Sequence, residues 1–129
     1  MTIEELENRF PNGFHDAYLV GLTVEFPSAS ACVELDVDCD DPDPAVYTRI
    51  KFRLNGLSLF IVDPPDVRIA LSYGETIWVS GCETSDEMLS DLATYRKNVP
   101  PGSFFYSFFM SHWNCFVHLA ATNAELVSL

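Results

Sequence analysis

From Tyr18 to Phe26 apolar residues alternate with small or polar ones: Val20, Leu22, Val24 and Phe26 share one face, and Gly21, Thr23 and Glu25 the other. That period of two is the signature of a strand with one covered side. It returns twice. In Ala31–Cys39, Val33, Leu35, Val37 and Cys39 alternate with Cys32, Glu34, Asp36 and Asp38. In Ala45–Asn55, Val46, Thr48, Ile50, Phe52 and Leu54 alternate with Arg49, Lys51 and Arg53. Two turns punctuate the series, Pro27-Ser28-Ala29-Ser30 and the stiff acidic loop Asp40-Asp41-Pro42-Asp43-Pro44.

The polar faces of the second and third strands carry opposite charges. A hairpin about the Pro-rich loop places Asp36 opposite Arg49 and Glu34 opposite Lys51, and a one-residue slip would invert both faces. Asn55-Gly56 then predicts a second tight hairpin, because both residues accept positive φ. It would pair Phe52 with Leu59 and Ile50 with Ile61, making Leu57–Val62 a fourth strand. Val67–Ser72 and Thr76–Ser80 read as a fifth and sixth.

Helical signals are fewer. Thr2-Ile3-Glu4-Glu5 has the form of a capping box, with Ile3, Leu6 and Phe10 on one side of a short N-terminal helix that Pro11-Asn12-Gly13 ends. Thr84-Ser85-Asp86-Glu87 repeats the form with Thr84 as cap. It predicts one long helix over about 85–97, with Met88, Leu89, Leu92, Tyr95 and Arg96 on its packed side and Pro100-Pro101-Gly102 as its stop. Phe104–Met110 is aromatic on both faces, as in a central strand covered on both sides or in a subunit interface. Cys115–Ala121 follows as a last strand. The expected fold is α+β: a mainly antiparallel meander with that helix packed on it, in a single domain over 1–129.

Net charge is −12, from 19 acidic and 7 basic residues. Phosphate binding needs a basic patch that releases counterions, so the balance argues against nucleic acid and permits a basic partner. The competing reading is that the charge only keeps an apolar-rich protein soluble. No apolar run reaches the roughly 18 residues that span a bilayer. The N-terminus lacks the basic and apolar regions of a secretory signal, so the expected compartment is the cytoplasm. Cys32, Cys39, Cys82 and Cys115 show no C-x-x-C spacing, and neither a zinc site nor any cofactor is expected.

His15-Asp16 is the one adjacent His–Asp pair, and an imidazole beside a carboxylate is the material of a general base. No nucleophile motif accompanies it. The competing reading makes it a structural latch, with Asp16 accepting backbone N–H groups at the turn and His15 donating to a carbonyl. Asp36, Asp38 and Asp40 fall at the first three ligand positions of a calcium loop, but Asp41, Pro42 and Tyr47 stand where that loop needs other residues. His112 and His118 lie six apart around a turn and have no common direction with His15 for a metal. Trp78 and Trp113, in or beside turns, are either packing residues or anchors for a partner.

Phe14-His15-Asp16-Ala17 leading into an alternating strand resembles the start of small bacterial immunity-type families of polymorphic toxin systems. Asn55-Gly56-Leu57 and the Phe-rich closing segment through Asn123-Ala124-Glu125 fit the same outline. The resemblance implies a bacterial cytosolic α+β domain that blocks a basic toxin by occlusion and has no catalytic residues of its own. The acidic residues expected to meet that partner are Asp40, Asp41 and Asp43, or Glu83, Asp86 and Asp91. The alternatives are an enzyme or small-ligand binder using His15 and Asp16, and a homo-oligomeric scaffold assembled through Phe104–Met110.

Overall fold

A computed structural model of the chain describes residues 1–38, 47–66, 68 and 77–128. Its elements are α1 (Ile3–Glu7), β1 (Ala17–Glu25), β2 (Ser30–Asp38), β3 (Tyr47–Asn55), β4 (Leu59–Val62), β5 (Ile77–Glu83), α2 (Asp86–Asp91), α3 (Ala93–Arg96), β6 (Phe104–Met110), β7 (Cys115–Ala121) and β8 (Asn123–Ser128). The eight strands form one sheet in the order β4-β7-β6-β5-β1-β2-β3-β8, every neighbouring pair antiparallel.

The two ends of that order are joined through the chain itself. β3 runs on into β4 and β7 into β8, and the two long ribbons pair along their length: Leu54 faces Ala124, Asn55 faces Asn123, Leu59 faces Ala120 and Val62 faces Val117. The sheet therefore curls back on itself, each ribbon bending where it passes from one flank to the other. Gly56 makes one bend with φ 64, packed so close to Thr122 that a Cβ there would collide with it. The Leu57 amide is tied at that point to the Ala29 carbonyl, 2.8 Å away.

This overturns the second hairpin. A two-residue type I′ turn needs positive φ at both central residues. Only Gly56 has it, so Asn55-Gly56 bends a strand instead of reversing it. Phe52 pairs with Val33 and Leu126, and Leu59 with Ala120. The expected strand over 67–72 lies outside the described residues apart from Arg68, and the sixth strand is the longer β5.

The interior of the curl is the core. Val33, Leu35, Val37, Ile50, Phe52, Leu54, Tyr106, Val117 and Leu119 point into it from the strands. Ile3 and Leu6 of α1 close one end against Phe14, which stacks on Phe52 at 5.3 Å. The Thr2/Glu5 capping box starts α1 as expected. Glu7 then turns inward, accepting from the Tyr106 hydroxyl at 2.7 Å and from the Phe14 amide at 3.4 Å. Burial pushes its carboxyl above the usual range, a shift its two hydrogen bonds oppose.

The expected α+β fold is corrected to a mostly antiparallel β-sheet with three short helices among the described residues, and its long helix over 85–97 is absent. The segment forms two short helices, α2 and α3, broken at Leu92, whose φ of −93 and ψ of 10 leave the helical region. Its cap is Ser85, which accepts from the Met88 amide, and not Thr84, whose hydroxyl is buried against Ser107. The physical reason is a thin apolar face. Of the residues expected to pack, only Leu92 is buried and Tyr95 is 55% exposed, and helices this short persist only where packing holds them.

One β-bulge also changes a face. The β1–β2 register slips between Leu19 and Gly21, so Ala17 and Leu19 point inward before it, and Leu22 and Val24 after it. Val20 and Phe26, both expected inward, are 41% and 83% exposed, and Tyr18 turns outward. No helix of the described residues is long and apolar enough to cross a membrane.

Candidate functional site

The outer face of β5-β1-β2-β3 is where the expected ion pairs lie. Arg49 binds Asp36 through two hydrogen bonds of 2.8 and 3.1 Å, and Lys51 stands 3.8 Å from Glu34. Both pairings follow the register read from the sequence. Arg68 is held in the same way by Asp66 at 2.7 Å, and that contact, with a hydrogen bond from Asn114, keeps the Asp66 carboxyl far below the usual carboxylate range. Pairing thus takes up three of the chain's few cations.

The row that runs across this face is Trp78–Tyr18–Asp36–Arg49, one residue from each of four strands in direct register. Tyr47 joins it from β3. Tyr18 packs on Trp78 with ring centres 4.0 Å apart and on Tyr47 at 4.9 Å, and Tyr47 meets Trp78 edge-on at 6.5 Å. All three rings are half-buried, which leaves part of each open to solvent. Their local setting is acidic. Asp38 faces Tyr47 across the ladder, and Asn12 donates to the Asp38 carboxylate at 3.3 Å, drawing the turn before β1 toward the end of β2. The Tyr47 phenol is pushed above its ordinary value by burial first, then by Tyr18 and by the carboxylates of Asp38 and Asp16.

Asp16 lies two residues before Tyr18, at the start of the strand that carries it. It adopts φ 54, a left-handed conformation that Asp tolerates better than most residues, and it starts β1 from there. His15 lies 3.0 Å from its carboxylate, but the pair is 72% and 61% exposed. The buried members of that motif are Phe14 and Ala17. A histidine and carboxylate this open to water lack the dry surroundings that strengthen acid–base chemistry. The pair marks the turn that starts β1, and Asp16 adds a carboxylate two residues before Tyr18.

The other expected residues are dispersed. Asp40, Asp41 and Asp43 lie outside the described residues, though they follow Asp38 within five positions in the chain. Glu83 ends β5, with its side chain outside the described residues. Asp86 and Asp91 are exposed on α2, which follows the far end of β5 from Trp78. His15, His112 and His118 are not gathered, and among the described residues no group of three His, Cys, Asp or Glu side chains could hold a metal ion. Phe104–Met110 is paired on both edges, by β5 and β7, with Tyr106, Phe108 and Met110 in the core.

Tyr18 and Tyr47 were missed as functional candidates. Tyr47 shares the outward phase of Arg49 and Lys51, so an aromatic on the charged face was visible in the sequence. Tyr18 was hidden by the bulge.

No protein-family model matches the chain, and neither does any curated protein. Among solved structures it is similar to an uncharacterized protein from Neisseria gonorrhoeae, with 8% sequence identity and a TM-score of 0.43 over 89% of this chain and 93% of that one.

Proposed function

We propose that the chain is a non-enzymatic protein-binding module that takes a basic partner on the outer face of β5-β1-β2-β3 and inhibits it by occlusion, as an immunity protein does a toxin. The observation that supports this reading is the Tyr18–Tyr47–Trp78 cluster set among the carboxylates of Asp16 and Asp38. Tyr and Trp are the residues that most often concentrate binding energy at protein interfaces, because they bury a large rigid area at little entropic cost. The carboxylates around them steer a cationic surface toward the aromatic centre and fix its approach. The chain's net charge of −12 extends that steering beyond contact range. A sheet face of ion pairs and aromatics offers shape and charge complementarity, which suits inhibition by coverage.

The test is binding to the basic proteins encoded beside this chain's gene, measured by calorimetry at low and at high salt. The expected result is tight association at low salt that weakens as salt rises, together with a loss of at least about tenfold in affinity for Trp78→Ala. If no neighbouring product binds at low salt, or if Trp78→Ala binds as well as the native chain, the reading is wrong.

A further inference from the structure

The opposite flank of the sheet carries a feature that protein binding at Tyr18 does not use. The outer side of β5-β6-β7-β4 is covered by the α2–α3 segment, where Leu92 packs on Leu59 and Ala120, joined by Ile61, Val99 and Phe105. Within this apolar layer run three buried polar side chains. The Thr84 hydroxyl lies 2.8 Å from the Ser107 hydroxyl, which lies 2.8 Å from His118 Nδ1. The other ring nitrogen of His118, Nε2, stands 3.4 Å from Asp63 Oδ2. Thr84, Ser107 and His118 are 5%, 0% and 5% exposed, whereas the Asp63 side chain is 40% exposed.

Between Thr84 and Ser107 either hydroxyl can donate, Ser107 donates to or accepts from Nδ1 according to the tautomer, and Asp63 stands beside Nε2 without a formed hydrogen bond. Burying three such groups between a sheet and a helix costs more than apolar side chains of the same volume would. What the arrangement achieves is orientation of the ring: an imidazole held from behind by Ser107 stands beside the Asp63 carboxylate at the mouth of a cavity.

That cavity has a volume of about 380 Å³ and is lined by Asp63, Met88, Asp91, Leu92, Phe116 and His118. The Phe116 and His118 rings, both part of the lining, lie nearly parallel, 15° apart with centres at 5.6 Å. Among the described residues the lining holds two carboxylates and no lysine or arginine. Its volume is in the lower part of the range of small-ligand sites, roughly 300–1,000 Å³.

We infer that this cavity is a binding site for a guanidinium group. A planar cation stacks on an aromatic face and pairs through two parallel N–H groups with a fixed carboxylate. Phe116 supplies the aromatic wall, Asp63 is the carboxylate beside His118, and Asp91 supplies the second negative charge. Met88 and Leu92 match the aliphatic stem. A compact ammonium would gain from the charge but not from the flat wall. The guanidinium belongs either to a free small molecule or to an arginine side chain of a protein, and the site is separate from the aromatic surface of β5-β1-β2-β3.

The experiment is a titration of the native protein followed by the NMR signals of the Phe116 ring and the His118 imidazole. Three probes are compared: agmatine, the tripeptide Gly-Arg-Gly and its neutral counterpart Gly-Gln-Gly. Saturable shifts with a guanidinium probe and none with Gly-Gln-Gly are expected. Tighter binding of agmatine identifies a free small molecule, and tighter binding of Gly-Arg-Gly an arginine side chain. Asp63→Asn should weaken the response at least about tenfold, the size of a lost charge-assisted hydrogen bond. Trp78→Ala should leave it unchanged, which keeps this result independent of the proposed protein-binding face. Because Asp63 and Asp91 are solvent-accessible, their amide variants keep the fold, and an unchanged melting temperature confirms it. The inference is overturned if neither cation gives a saturable shift, if Gly-Gln-Gly gives an equal one, or if the double variant Asp63→Asn, Asp91→Asn responds like the native chain.

Discussion

The two outer flanks of this sheet treat polar residues in opposite ways. On β1-β2-β3 the charges of Asp36, Arg49, Glu34 and Lys51 stay in water and pair across the ladder. On β5-β6-β7-β4 the polar groups of Thr84, Ser107 and His118 are sealed under a helical segment and satisfied one by the next. The same cross-strand geometry brings both sets together, since Glu34 faces Lys51 and Ser107 faces His118 in direct register. What differs is the solvent. An exposed pair exchanges water for a partner at almost no net gain, while a buried group left without its partner keeps the whole cost of desolvation. The open flank therefore tolerates change and serves recognition, and the covered flank holds a fixed arrangement.

Three substitutions separate the flanks, in order of size. Leu92→Ala removes the one buried side chain of the helical segment from its contact with Leu59 and Ala120. A loss of about 2–5 kcal/mol is expected in chemical denaturation, the usual range for a buried leucine. A loss below about 1 kcal/mol would mean that the segment adds little to the covered flank. Ser107→Ala leaves the Thr84 hydroxyl and His118 Nδ1 without the atom that joins them, at an expected cost of about 1–3 kcal/mol. It should also broaden the His118 imidazole NMR signals, because the ring loses its rear support. Arg49→Ala breaks the best-formed ion pair of the open flank, yet a change of only about 0–1 kcal/mol is expected, smaller still at high salt. A larger effect for Arg49→Ala than for Ser107→Ala would reverse the contrast between the flanks.

The β2–β3 hairpin was legible to the residue, because alternation and facing charges agreed on one register. The capping box of α1 was equally clear, since Thr2 and Glu5 act within one turn. The helix over 85–97 was overcalled. Its cap, its charges at either end and its Pro stop are local signals that do not register how little of its face the sheet would bury. Asn55-Gly56 misled for a related reason. It signals backbone freedom, and a bend and a reversal use the same freedom. Of the candidate sites, the acidic residues were readable as charge but not as a surface. Trp78 was noticed, whereas Tyr18 was turned outward by a bulge that leaves no mark in residue type.

Taken alone, the sequence determined the strand periods, the pairing of β2 with β3, the cap of α1 and a strongly acidic chain. These depend on neighbours within one element or one hairpin, where spacing fixes geometry. Tertiary structure decided the curl that joins β3–β4 to β7–β8, the division of the outer face into an open and a covered flank, and the approach of Asp63 to His118. Each of those joins residues far apart in the chain, and each is set by which surfaces are left for packing once the local elements have formed.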